Sequence, residues 1–180
     1  MQSQDSFKVI QKFLRRIRFF WQNIFLIGVL IFAVTFYHQL QTHTVLKPIP
    51  YLMILNWISF IVAMTLAIYI FILKRKYFNL RFYNTILKGL LAQSTDLTES
   101  QLARQFTRQM EKKMKLVWWL ALALILVGVI YYWVTFDDRN LHVYFVVGLY
   151  SLAINYPRRD LLNKVPYLIE ELYPETGESK

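Results

Sequence analysis

"IGVLIFAVTF", residues 27–36, returns a hundred positions later as "VGVIYYWVTF", residues 127–136, with Gly, Val, Val, Thr and Phe in the same five places. Neither stretch holds a charge, and each lies inside a longer block of the same kind. A helix on a soluble core would break such a block with polar residues every three or four positions. That interruption is missing, so lipid is the solvent these side chains expect. Composition agrees: 56% of the 180 residues are hydrophobic and 17% aromatic, well above the balance of a soluble domain.

A helix needs about 20 mostly apolar residues to cross roughly 30 Å of hydrocarbon. Working outward from the two stretches, four uncharged runs emerge, at residues 19–36, 51–73, 116–136 and 141–156. The fourth reaches only about 24 Å at 1.5 Å per residue, so it needs snorkelling ends or a locally thinned bilayer, and re-entry competes with crossing. Arg158 and Arg159 directly after it, and the tight turn "FDDRNL" before it, favour a full crossing, with Asp138 or Asn140 capping the returning helix. The expected fold is therefore all-helical: one integral membrane domain, residues 1–180, of four spans.

Lys and Arg collect on the cytoplasmic flanks of spans. Five precede the first run, ten lie between the second and third, and four follow the fourth, while each of the two short loops holds one, Lys47 or Arg139. Nineteen of 21 positive charges then fall on one side, which puts both termini in the cytoplasm. Topology accounts for the formal net charge of +10, so nucleic-acid binding is not required. Arg15, Arg16, Arg18, Lys74, Arg75, Lys76, Lys112, Lys113, Lys115, Arg158 and Arg159 are the expected contacts to anionic headgroups of the cytoplasmic leaflet. The basic start resembles a signal sequence, but no small-x-small cleavage site follows Phe36, so it reads as a retained anchor. The expected location is a bacterial inner membrane, or an organelle's; Asp5 counts against a mitochondrial presequence.

The repeat extends beyond the opening match. "FKVIQKFLRRIRFF" and "TESQLARQFTRQMEKKMK" are basic amphipathic helices that run into the first and third spans, with Thr98 and Gln101 supplying a capping box for the latter. After the second span, "YFNLRFYNTILKGLL" sets Tyr83, Ile86, Leu87, Leu90 and Leu91 on one face; after the fourth, the helix expected at residues 160–173 does the same with Leu161, Leu162, Val165, Leu168, Ile169 and Leu172. Residues 7–91 and 99–173 then form two tandem hairpin units, a parallel repeat. Chance similarity between apolar runs is the alternative.

Small and hydrogen-bonding residues mark the faces along which helices meet in lipid. Gly28 and Thr35 do so on the first span, Asn56, Ser59, Ala63 and Ala67 on the second, Ala121 and Gly128 on the third, and Gly148, Ser151 and Asn155 on the fourth. They read as a packing seam or as a pore lining. No Asp, Glu, Lys or Arg lies inside a run, which disfavours an ion-coupled transporter but leaves room for an oligomeric channel.

Cysteine is absent, so thiolate metal sites, iron–sulfur clusters and thiol redox chemistry are excluded. His38, His43 and His142 share the outer side with Asp137 and Asp138, but their spacings match no ligand motif, and no metal or other cofactor is expected. Nucleophile elbows, Gly-rich phosphate loops and metalloprotease helices are missing too. The sequence thus points to a non-enzymatic membrane subunit, a homo-oligomer or part of a larger complex, that anchors or scaffolds a partner. The tail face from Leu161 to Leu172 is its expected docking surface; a homo-oligomeric channel or membrane-perturbing effector is the alternative, and an outer-face metal-binding protein is a third reading.

Overall fold

The computed structural model describes residues 2–41, 51–93 and 97–172. His43, Lys47 and the tail from Tyr173 onward lie outside the described residues. The protein is all-helical: α1 (Gln2–Gln41), α2 (Leu52–Tyr77), α3 (Leu80–Gln93), α4 (Glu99–Thr135), α5 (Asp138–Ile154), α6 (Arg159–Leu162) and α7 (Val165–Leu172). Three of them, α1, α2 and α4, are long and apolar enough to cross a membrane. α5 has 17 residues, about 25 Å of helix.

Local chemistry sets the boundaries. Asn79 closes one helix and opens the next: its Nδ2 donates to the Arg75 carbonyl at 2.8 Å, and its Oδ1 accepts from Phe82 N at 2.7 Å. α4 starts with half a capping box, Thr98 N donating to Gln101 Oε1 at 3.1 Å. It ends at Phe136, whose φ of 55° is the left-handed conformation that stops a helix. The cap of α5 is Asp137, which accepts from Arg139 N at 3.1 Å, and not Asp138 or Asn140, which lie within the helix. The tail is two helices where the sequence suggests one. Pro166 lacks an N–H, and its ring would collide with the carbonyl four residues earlier, on Leu162. α6 ends at that residue.

The chain divides into two compact units. Unit 1 comprises Met1–Phe20, Arg75–Lys115 and Pro157–Lys180; unit 2 comprises Trp21–Lys74 and Leu116–Tyr156. Each proposed repeat contributes to both.

In unit 1 the amphipathic helices bury their apolar faces. Ile10, Phe13, Leu14 and Ile17 of α1, Tyr83, Leu87 and Leu90 of α3, Leu102, Phe106, Met110 and Met114 of α4, and Leu162, Val165 and Ile169 of the tail are all buried. Tyr83 meets Phe106 edge-on at 5.4 Å, and α7 packs on α3. The sequence reads the stripes of α1 and α4 as interfacial, on lipid, and that of the tail as a docking surface for a partner. The chain itself covers them instead, because several such stripes in one chain can remove each other from water without a bilayer.

In unit 2 the inner helix is α4: its apolar window is 56% buried, against 17% in both α1 and α2. α2 packs through Ala63, buried with Leu124 and Tyr144. Elsewhere α2 exposes Met53, Ile54, Ile58, Ile61, Ile68, Phe71 and Ile72, and α1 exposes Leu26, Leu30 and Val34.

Candidate functional site

What the structure offers is a seam, a basic surface and an outer rim. The seam in unit 2 is built on Ile125. A Cβ placed on Gly28 would meet Ile125 Cδ1 at 3.0 Å, and one placed on Gly148 would collide with Ile125 Cγ1. One isoleucine of α4 thus fills hollows on both α1 and α5 that only glycine leaves open. At Gly128 an added Cβ would meet Tyr144 Cβ at 3.0 Å and the Leu141 carbonyl at 3.3 Å, so α4 and α5 touch through backbone as well. Thr35, Ser59, Ala63, Ala121, Ser151 and Asn155 are buried with these glycines, and Ala67 is half-buried. Asn56 is the exception. It is exposed, and its Oδ1 accepts from Asn140 Nδ2 at 2.7 Å.

Burial repeats at the spacing of one hundred. In unit 1 Ser6, Ile10, Leu14 and Ile17 are buried, and so are Phe106, Met110, Met114 and Val117. Of these, Val117 belongs to unit 2, where Ile24, Gly28 and Thr35 are matched by Leu124, Gly128 and Thr135. Thr35 and Thr135 also make the same bond, each hydroxyl donating to the carbonyl four residues earlier, at 2.9 and 2.8 Å.

α5 ends against two indoles. Trp118 Nε1 donates to the Asn155 carbonyl at 2.9 Å, and Trp21 Nε1 to the Leu152 carbonyl at 3.0 Å. The last carbonyls of a helix have no partner within it, and here neighbouring helices supply one. Asn155 Nδ2 donates to the Ser151 carbonyl at 2.7 Å, and its buried Oδ1 has no partner among the described residues.

The basic residues of unit 1 that the sequence assigns to headgroups fall into two groups. Some are engaged. Arg16 and Lys115 flank Glu111, Lys115 Nζ lying 2.6 Å from Glu111 Oε1 and 4.4 Å from the centre of the Phe20 ring. Lys113 and Lys76 approach the Tyr77 ring at 4.7 and 5.7 Å. Arg18 donates through Nε and Nη2 to the Pro157 carbonyl, both at 3.2 Å. The others, Arg15, Arg75, Lys112, Arg158 and Arg159, are exposed, while Lys74 of unit 2 is half-buried.

The tail face that the sequence offers to a partner is largely taken up within the chain. Leu162, Val165 and Ile169 are buried, and Leu161, Leu168 and Leu172 are half-buried. α7 turns Tyr167, Glu170 and Glu171 outward.

At the rim of unit 2 the two described histidines have separate surroundings. His38 Nδ1 lies 3.3 Å from Tyr132 Oη, its ring 4.4 Å from that of Trp133. His142 Nδ1 donates to the Asp138 carbonyl at 2.8 Å. Among the described residues no group of three or more His, Asp and Glu is placed to share a metal ion. Of the titratable groups in unit 1, the Tyr83 phenol stands out: burial pushes it well above its ordinary value.

Neither family models, nor curated proteins, nor solved structures yield a match to this chain.

Proposed function

We propose that the chain is a non-enzymatic integral membrane subunit that anchors a partner complex at the bilayer surface. The observation behind this reading is the division of exposed side chains. In unit 2, α1 and α2 expose Leu26, Leu30, Val34, Ile54, Ile61, Ile68 and Ile72, which suit acyl chains. In unit 1 the apolar faces are covered and the exposed groups include Arg15, Arg75, Lys112, Arg158 and Arg159. Basic groups beside spans attract anionic headgroups by about 1 kcal/mol each.

In this proposal α5 is the fourth crossing, so both termini and nineteen of the 21 positive charges share the cytoplasmic side of a bacterial or organellar inner membrane. The matched burial at Gly28 with Gly128 and Thr35 with Thr135 supports descent of residues 7–91 and 99–173 from one duplicated hairpin. Partner contact falls to the outward face of α7, Tyr167 with Glu170 and Glu171, since the apolar face of that helix is occupied. Packing of Gly28 and Gly148 against Ile125 favours the seam over the pore lining for the small residues.

The test is isolation of the tagged full-length chain in mild detergent, with reconstitution into liposomes. We expect a complex of fixed stoichiometry with a different polypeptide, weakened when Tyr167, Glu170 and Glu171 are changed together to Ala, and vesicles that stay ion-tight. Assemblies containing only copies of this chain, with robust ion flux, would transfer the reading to a homo-oligomeric channel.

A further inference from the structure

Asn56 and Trp57 lie in the first two turns of α2 and, like most of that helix, are exposed. With Phe60 and Asn140 they line a recess of about 280 Å³ at the rim of unit 2. Asn140 Nδ2 donates to Asn56 Oδ1, so both N–H groups of the Asn56 amide are left over, and they have no partner among the described residues. The Trp57 indole N–H is also without one. Trp57 is 57% exposed, and its ring stands edge-on to that of Phe60 with centroids 6.2 Å apart. The lining of the recess thus combines two aromatic rings with two side-chain amides.

Position along the helix gives its depth. From Asn56 to Lys74 is about 27 Å at 1.5 Å per residue, close to the thickness of the hydrocarbon layer. Lys74, Arg75 and Lys76 form the basic run at the far end of α2, where headgroups are expected. Asn56 and Trp57 then lie at the opposite hydrocarbon boundary, where glycerol esters and phosphates supply acceptor oxygens.

We propose that this recess binds a glycerophospholipid of the outer leaflet. An acceptor oxygen of the lipid takes the Asn56 amide and Trp57 indole N–H groups, and the first carbons of one chain lie against the Trp57 and Phe60 rings. The site rests on the membrane reading above but is independent of the basic residues, since nothing lining it is charged.

The experiment uses the full-length chain in detergent micelles, titrated with dioleoylphosphatidylcholine and read by native mass spectrometry. A zwitterionic lipid is chosen so that the basic surface contributes little. Trp57→Phe keeps an aromatic ring and leaves Asn56 and Asn140 in place, but removes the indole donor and part of the apolar wall; it should weaken binding at least about fivefold, the worth of one neutral hydrogen bond. Asn56→Leu should weaken it at least as much. The ether-linked analogue identifies the acceptor: unchanged binding assigns phosphate oxygen, and a loss matching Trp57→Phe assigns ester carbonyl. Soluble glycerophosphocholine should not compete, because it has no chains for the rings. Equal binding by wild type and Trp57→Phe, or full competition by glycerophosphocholine, would overturn the site. If alkaline washing strips the chain from vesicles, the membrane reading falls and takes this site with it; a chain that stays embedded but ignores Trp57→Phe loses this site alone.

Discussion

Replacing single glycines with alanine should have graded effects that follow from what the new methyl meets. At Gly148 it collides with Ile125 Cγ1, and it also meets the Ala121 carbonyl at 3.2 Å. Cγ1 is one bond from the stem of its side chain, so the clash is relieved only if α4 and α5 move apart. Overpacking of this kind costs about 1–3 kcal/mol. The better helix propensity of Ala, about 0.5–1 kcal/mol, offsets part of that, leaving a net loss of about 1–2 kcal/mol. At Gly28 the neighbour is Ile125 Cδ1 at 3.0 Å, the free end of the same side chain, which yields by a few tenths of an ångström. Strain and propensity then nearly cancel, within about 0.5 kcal/mol. Gly89 has nothing within 4 Å of an added Cβ, so Gly89→Ala should stabilise α3 by about 0.5–1 kcal/mol.

Unfolding in mixed micelles of rising dodecyl sulfate content, followed by tryptophan fluorescence, reads these differences. The decisive arm is a double-mutant cycle. Ile125→Ala removes both Cγ1 and Cδ1, so Gly148→Ala in that background should lose the strain against Ile125, a coupling of about 1–3 kcal/mol. Ile125→Val keeps an atom at the Cγ1 position and should not rescue Gly148→Ala. A Gly148→Ala protein as stable as wild type, or rescue by Val as complete as by Ala, would refute the proposed packing of Ile125 between the glycines.

The other predictions concern the end of α5 and the core of unit 1. Trp118→Phe keeps an aromatic ring but leaves the Asn155 carbonyl without its donor, which should cost about 1–3 kcal/mol in the same unfolding assay. Trp21→Phe should cost less, because the Leu152 carbonyl also accepts from Asn155 N at 3.2 Å. Equal effects would argue against a capping role for the indoles. Tyr83 predicts a pH dependence whose sign follows from burial. Its phenol keeps its proton in the folded chain above the ordinary value of 10.0, while the unfolded chain loses it there. The folded state then binds more protons, and stability falls as pH rises past about 10, by up to about 1.4 kcal/mol per unit; below that it is unaffected. Stability compared at pH 9 and pH 11 should fall further in wild type than in Tyr83→Phe, which isolates this group from other titrations.

What the sequence reveals and what it hides differ in kind. Gly28, Gly128, Gly148 and Ser151 are conspicuous because a small residue is unusual in a lipid-facing block, and small residues are where helices meet. Ile125, which fills two of those hollows, is one apolar residue among many, and no periodicity singles it out. The stripes of α3, α4 and the tail are legible at Tyr83, Phe106 and Ile169, but a stripe shows only that something apolar covers it. Choosing between a bilayer and another helix requires the tertiary fold. The break before α7 is legible in Pro166, because its ring opposes the Leu162 carbonyl; the apolar spacing on either side hides it. Asn56 falls at seam spacing and Asn140 reads in the sequence as a candidate cap, yet they bond to each other across 84 residues, a pairing that follows from neither local pattern.

The length of α5 bears on the four-crossing proposal through this same end chemistry. The requirement of about 20 residues for a span assumes a helix that must satisfy all of its own backbone groups across the hydrocarbon. α5 is not in that position. Its last carbonyls receive indole N–H groups from Trp21 and Trp118, and Asp137 accepts from Arg139 N at its start. Donors supplied by neighbours let a helix of 17 residues stop short of the boundary without leaving bare carbonyls in lipid. The inner helix α4, which carries Trp118, is then what makes a short fourth crossing tolerable, and hydropathy along α5 alone cannot register that help.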